Sequence, residues 1–509
     1  MEHRTAILAF LICTGSISVA QPGTLDPSFG NGGHVSTAFG AASTYAGQVV
    51  VQNDGRIVVS SGVWSATRDI GLTRYNSDGT LDDSFGTGGI VQLDVNVGSD
   101  DRSGPIVLVA DGKVLLYGIM DGDLLLIRFN VDGSVDTDFG TNGYTTVDVL
   151  TGESESRGDL VVRPNGKIVV VCTNDGDNGN GFGTVLQFSE NGILDPAFGT
   201  SGLLTIDWAT GTTTEWLRDL ALASNGDIYM VGYTSIVGTD IIQVYRVNAA
   251  GALDTGFDGD GMMELPVGPD RDQPNSINVL ASGKILIGGI TESDLYYDIF
   301  FALLNADGSF DPSFGTSGMV ITSISAGYVT DVLPMADGKF LFCSDFFNGV
   351  GRDMLIARMD ADGSFDTSYG TDGITTTRIG SQGGSETGIS LAIAADGNYI
   401  MTGRTGVDFN QTVVQIVLKY RSGVNSSIRE EAEERMRVFP NPTNGSLLVN
   451  SVHPNRSKGY LVLDTSGRSM VEVIAINGQL ELPSSLDAGN YLLVPADRSV
   501  APHPFTLVR

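Results

Sequence analysis

An eleven-residue, glycine-bounded motif recurs seven times in this 509-residue chain, and no other feature restricts the fold as much. The copies are GTLDPSFGNGG from Gly23, GTLDDSFGTGG from Gly79, GSVDTDFGTNG from Gly133 and GILDPAFGTSG from Gly192, then GALDTGFDGDG from Gly251, GSFDPSFGTSG from Gly308 and GSFDTSYGTDG from Gly363. Their starts lie 56, 54, 59, 59, 57 and 55 residues apart, a regularity that means stacked copies of one unit. Each unit holds four candidate strands. The first follows the motif, as in Ile90–Val95 or Leu203–Trp208. The second and third flank a turn: Asp54-Gly55, Asp111-Gly112, Asn165-Gly166, Asn225-Gly226, Ser282-Gly283, Asp337-Gly338 or Asp396-Gly397. The third strand is often continuously apolar, as in Ile168–Val171, which suits a strand covered on both faces. The fourth alternates, as in Leu126-Ile-Arg-Phe-Asn, which suits an outer strand with one wet face. Four strands per unit, seven times over, predict an all-β chain whose main body is a seven-bladed β-propeller of four-stranded blades.

On this reading the motif carries the chain from the outer strand of one blade to the inner strand of the next. Asp26, Asp82, Asp136, Asp195, Asp254, Asp311 and Asp366 would bond their own following amides in Asx-turns, the Phe would wedge between blades, and the glycines would allow positive φ. The fourth strand places Arg74, Arg128, Arg246, Arg358 and Lys419 at one register, where they would pair with motif Asp residues between blades. The first motif copy has no strand before it and the last strand, Val413–Tyr420, has no motif after it, so the two are expected to meet and close the ring. The Leu-Asp-x-x-Phe-Gly-x-x-Gly core resembles the delta-60 repeat of bacterial extracellular proteins over about residues 23–423. That resemblance implies a β-propeller and an exported location, and no defined activity.

The two ends of the chain read as addresses. Arg4, the apolar Ala6–Ile12 and Ser18-Val19-Ala20 form a signal peptide over residues 1–20, with an apolar run too short to span a membrane. No other stretch reads as transmembrane. Residues 424–437 are polar and then highly charged, the pattern of a solvated linker, and are the expected cleavage region. A small β-sandwich-like domain is expected over 438–509. Its Pro440-Asn441-Pro442-Thr-Asn-Gly445 start, the Gly467-Arg468 turn, the Ala-Gly489-Asn-Tyr491 strand entry and the short final strand resemble, as an ordered set, the type A C-terminal sorting domain of the type IX secretion system of Bacteroidota. The resemblance implies the secretion machinery as a partner and a secreted or cell-surface fate.

Charge narrows the function. The chain has 29 Lys and Arg against 60 Asp and Glu, a formal net charge of −31, which disfavours nucleic-acid binding because phosphate contacts need a basic face. Catalysis through a nucleophile triad lacks parts, since His34 is the sole histidine of residues 21–423, and Cys172 and Cys343 fall in third strands across the ring, too far apart to bridge. The motif and the hairpin turns share one face of a propeller. The other face carries the connections that vary in length, among them Gly62–Arg68, Asp175–Gly183, Thr291–Asp298 and Asp345–Arg352. There Trp64, Phe182, Trp216, Tyr296, Tyr297, Phe346 and Phe347 are candidate ligand contacts, because ring faces stack on sugars while carboxylates bond hydroxyls; the competing reading is that they cap blade ends. Asp175 and Asp177, in Asp-Gly-Asp-Asn-Gly-Asn-Gly, loosely match a calcium loop without its closing Glu, and calcium is the one cofactor the sequence raises. The leading expectation is a non-enzymatic recognition or adhesion module for glycan or protein. The alternative is an extracellular carbohydrate-active hydrolase or lyase that uses channel carboxylates.

Overall fold

The computed structural model describes residues 21–175, 181–207, 215–236, 239–269, 271–293, 296–322, 324, 327–380, 384–406 and 413–423, and then 437–439, 446–450, 458–463, 469–475, 479–495 and 503–507. The signal segment, most of the linker, Asp177 and the Pro440, Asn441, Pro442, Gly445 and Gly467 positions lie outside these residues. The chain divides into two compact units, Met1–Val424 and Asn425–Arg509.

The first unit consists of antiparallel four-stranded sheets arranged in chain order. One is Ser43–Val51, Ile57–Trp64, Arg68–Tyr75 and Ile90–Leu93; the next is Asp101–Leu108, Val114–Met120, Asp123–Phe129 and Tyr144–Val147. Sheets opening on Ser154–Val162, Glu215–Leu222 and Asp272–Val279 repeat the plan. The strand groups opening on Asp331–Pro334 and Ser385–Ile393 are joined into one eight-stranded sheet by a single parallel bridge, Arg352 to Ser385. The first strands of these groups touch one another in succession, and Ser385–Ile393 returns to Ser43–Val51. They are therefore the inner strands of a ring.

The sheet boundaries correct the expected strand order. The strand after the motif does not start a new sheet. Ile90–Leu93 pairs with Arg68–Tyr75, so the motif is a connection within one sheet, from its third strand to its edge strand. The crossing between sheets is made by the variable segment that follows, such as 94–100. The expected wet strand is accordingly third of four, and Arg68–Tyr75 is buried along nearly its whole length. Exposure falls on the four-residue edge strand instead, which has neighbours on one side only.

Packing between sheets explains the motif composition. Phe29, Phe85, Phe139, Phe198, Phe257, Phe314 and Tyr369 are fully buried. The first glycine of the following motif lies against each of the six Phe rings: a Cβ on Gly251 would stand 2.9 Å from the Phe198 ring and 2.5 Å from the Gly199 nitrogen, at a φ of +85°. The amide after each ring donates to the carbonyl just before the next motif, as Gly86 N does to Asp132 O at 2.7 Å. The chain of such bonds runs through all seven copies and returns through Gly370 N to Pro22 O at 2.9 Å. At the same joint His34–Thr37 supplies the edge strand beside Val414–Tyr420, with Leu25 bridged to Tyr420.

The second unit holds two antiparallel sheets. One is Arg437–Phe439, Ser446–Asn450 and Gln479–Glu481; the other is Ser469–Ala475, Lys458–Leu463, Gly489–Pro495 and His503–Leu507. Gly489 opens a strand, and Tyr491 is buried with its hydroxyl donating to Asp487 O at 2.8 Å. Among the described residues no helix is long and apolar enough to cross a membrane.

Candidate functional site

The motif face is occupied by its own bonds. All seven motif carboxylates accept the amide two residues on, at 2.9–3.4 Å. Asp82, Asp136 and Asp366 also take the Nε of Arg74, Arg128 and Arg358 at 2.7, 2.5 and 2.7 Å. These pairs lie within one sheet and not between sheets as the spacing had suggested, because arginine and motif are consecutive there. The link to the neighbour comes from the same guanidinium's Nη1, which donates to a carbonyl of the next unit: Arg128 to Glu190 O at 2.7 Å and Arg358 to Ser422 O at 2.7 Å. Lys419 reaches Asp26 only at 3.9 Å and Asp396 at 2.6 Å, and Arg246 binds Asp227 at 2.6 Å and Asp254 at 3.1 Å. A further cation was legible in the sequence and was passed over. Arg56, Lys113, Lys167, Lys284 and Lys339 each follow a hairpin glycine and each binds the motif carboxylate of its sheet. With these partners Asp366 is held far below the usual carboxylate range despite its burial.

The opposite face opens into the channel. A cavity of about 1050 Å³ lies there, lined mainly by the inner strands. Side chains alternate along these strands, so two registers reach the cavity. Four residues before the core positions Ile106, Leu160, Leu220, Val332 and Leu391 stand Arg102, Ser156, Trp216, Tyr328 and Thr387. Two before the same positions stand Gly104, Gly158, Arg218, Thr330 and Ile389. Arg68, Asp345, Arg352 and Arg404 enter from the second and third strands of their sheets.

Five arginines thus face one cavity in a chain of net charge −31. Arg352 is paired with Asp345. Arg68 is paired with Asp100 and lies over Trp64 at 5.3 Å, and Arg102 meets the same Asp100 at 3.4 Å. Arg218 donates to the Tyr233 hydroxyl at 2.9 Å and lies over that ring at 5.0 Å, with its Nε buried and unbonded among the described residues. Arg404 lies over Tyr45 at 5.7 Å. Neither Arg218 nor Arg404 has an ion-pair partner among the described residues.

The candidate aromatics are distributed unevenly. Trp216 lines the cavity and stacks on Tyr233 with centroids 6.5 Å apart. Trp64 lies under the lining residue Arg68 and packs on Tyr45 at 5.0 Å, and Tyr297 packs on the lining residue Tyr328 at 5.5 Å, so both stand one contact away. Phe346 packs on the hydrophobic core. Phe347 is exposed and Phe182 half-buried, and neither lines the cavity. The side chains of Tyr296 and Asp175 lie outside the described residues, as does Asp177, so the calcium reading finds no geometry here. Among the described residues no three His, Cys, Asp or Glu side chains gather as a metal site. Sequence reasoning missed the arginines because they come from different strand groups and share no motif.

Carboxylates around the channel are used as internal acceptors. Asp101, Glu155 and Glu386, each one residue before the first lining register, and Asp272 on a neighbouring inner strand accept amides of the preceding crossing segment, among them Val95 N at 2.6 Å and Gly268 N at 2.8 Å. Burial pushes Glu155 up to about 7. Asp159 and Asp219 bond each other across adjacent inner strands; burial raises both, and the charge of Asp159 helps push Asp219 far above the usual range. Asp331, at the same register, is pushed up to about 6 by burial. Among the described residues Asp345 is the one carboxylate that lines the cavity.

Comparison with known proteins agrees with the sheets. A family described as "Domain of unknown function (DUF5122) beta-propeller" matches residues 52–85, 110–139, 280–314 and 336–369. Each stretch runs from a hairpin turn to the buried ring of a motif, the segment whose turn, pairing and ring contacts are described above. The chain is a β-propeller repeat protein. Solved structures similar to this β-propeller include a protein of unknown function from Dyadobacter fermentans, 12% identical over 78% of this chain and 100% of its own, with a TM-score of 0.39. They also include a PL25 ulvan lyase, 8% identical over 76% and 96%, with a TM-score of 0.43. The β-propeller domain of the Trilobed protease from Pyrococcus furiosus is 9% identical over 74% and 95%, with a TM-score of 0.39. No curated protein matches the sequence.

Proposed function

We propose that this chain is an exported, seven-bladed β-propeller that binds a glycan or protein ligand at the channel mouth of its variable-loop face, without turnover. The closed succession of seven inner strands and the seven-membered chain of motif bonds support the blade number. The observation that carries the binding role is the channel-mouth cavity, where Trp216 and Tyr328 stand with Arg218 and Arg404, which have no ion-pair partner among the described residues. Its volume matches the upper range of ligand sites, about 300–1,000 Å³. Recognition is favoured over the hydrolase or lyase alternative because, among the described residues, the cavity offers no free carboxylate pair: Asp345 is ion-paired, and Asp159, Asp219 and Asp331 are committed to backbone amides or to each other. The segment 1–20 and the domain 438–509 serve as addresses, the latter for the type IX secretion machinery.

Binding of the purified protein to a broad glycan array, in parallel with Trp216→Ala, tests the recognition role. Saturable binding that the variant loses supports it. Binding that survives in Trp216→Ala places the ligand elsewhere, and release of a cleaved product with time establishes turnover. Export is tested by deleting residues 438–509 in a host with type IX secretion, where the protein should be retained in the periplasm; undiminished surface or medium levels would remove the sorting role.

A further inference from the structure

We propose that the cavity selects an anionic saccharide, one bearing carboxylate or sulfate groups. This rests on the reading of the variable-loop face as a recognition surface, and adds the chemical class of the ligand. Electrostatics carry the argument. Residues 21–423 contain 20 Lys and Arg against 50 Asp and Glu, yet five of those arginines line one cavity while one carboxylate, Asp345, does so. Adding Asp100 behind Arg68 and Arg102, two carboxylates answer five guanidinium groups. The excess sits at Arg102, Arg218 and Arg404.

Arg218 is built to receive an anion. Its guanidinium is fixed by the Tyr233 ring at 5.0 Å and by a 2.9 Å bond to the Tyr233 hydroxyl, and its other N–H groups have no protein acceptor among the described residues. The Nε among them is buried and unbonded among the described residues, and a buried donor without an acceptor is costly. A planar fork held in place binds carboxylate or sulfate through paired N–H···O bonds. The stacked Trp216–Tyr233 pair and Tyr328 provide ring faces beside that charge, for the apolar face of a sugar ring. A polynucleotide would meet the same arginines, but the −31 charge of the whole chain repels a long polyphosphate, and a short saccharide fits within the cavity.

The test is calorimetric titration of the full-length protein with four probes: an oligogalacturonate, a sulfated heparin-derived oligosaccharide, the methyl-esterified oligogalacturonate, and inorganic sulfate alone. At least one acidic oligosaccharide should bind, about tenfold or more tighter than the esterified one, with affinity falling as salt is raised from 50 to 500 mM. Arg218→Gln should lose about tenfold and Arg218→Lys less, with unchanged melting temperatures showing that both fold. The salt dependence of the wild type needs no variant. If the neutral oligosaccharide binds as tightly as the acidic ones, charge selection is wrong and saccharide recognition stands. If a non-saccharide ligand alone binds, or nothing binds, the recognition of sugars fails as well. Sulfate bound without any oligosaccharide means an adventitious ion only, and overturns the proposal.

Discussion

The Asp219 carboxylate accepts the Ile277 amide at 2.7 Å, across from one inner strand to the next. Ile277 lies just after the bulge between Pro274 and Ser276, and an inner strand has no ladder partner on its axial side. The neighbouring side chain supplies the missing acceptor. Gln48 does the same for Ile106 at 3.0 Å, and Asp331 for Leu391 at 2.7 Å. Removing the acceptor in Asp219→Ala should destabilise the protein by about 1–3 kcal/mol, the range for an orphaned buried donor. Asp219→Asn keeps the acceptor and removes the conflict with Asp159, so at pH 8 it should melt at or above the wild-type temperature. Equal losses in both variants would show that the amide bond is not what Asp219 contributes.

Glu155 predicts a pH effect of defined sign. Burial raises it from 4.5 to about 7, so the folded chain holds a proton that the unfolded chain releases. Its contribution to stability is complete below about pH 4.5 and is lost as pH rises toward 7. Oε2 of this side chain is buried without a partner among the described residues, while Oε1 accepts Val149 N at 3.1 Å. Glu155→Gln should therefore melt higher than wild type at pH 8 and no higher at pH 5. A pH-independent difference between the two would contradict the protonated state.

The motif carboxylates act in the opposite sense. Asp366 is held low by Lys339, Ser368 and Arg358, so its contribution is present at neutral pH and is lost as pH falls below the ordinary carboxylate range. Asp366→Asn leaves Arg358 buried with one partner fewer and should cost about 2–4 kcal/mol at pH 7. Asp83→Asn, at an exposed position of another copy, should cost under about 0.5 kcal/mol. Urea midpoints of the two variants measure the contrast, and similar values would remove the structural role of the motif carboxylate.

Ring closure depends on the N-terminal segment. Leu25 and His34–Thr37 pair with the last strand, and Pro22 O takes the amide of Gly370 from the strand group before it. Deleting residues 21–37 exposes the edge of Val414–Tyr420 and the buried side of Tyr369. The shortened protein should melt several degrees lower and bind more of a hydrophobic dye. A melting curve that overlays the wild type would mean that the ring holds without this joint.

Most of the repeat was legible because each of its parts is local. The hairpin glycines, the Asx-turn and the buried ring recur at fixed offsets, and their bonds fall within a few residues. Two readings went astray for the same reason. Strand membership in a sheet is decided by pairing, so nothing local told Ile90–Leu93 to close the preceding sheet. The partner of Arg74 was likewise assigned to a neighbour, although the chain returns it to Asp82 eight residues on.

By itself the amino-acid sequence determined the all-β class, the number of repeats, the turn positions and the residues that wedge between units, because these follow from periodicity and backbone stereochemistry. Only the tertiary structure decided where the sheets begin and which charges share a cavity. Arg68, Arg102, Arg218, Arg352 and Arg404 belong to five different strand groups, and closing those groups into a ring is what brings them to a common channel.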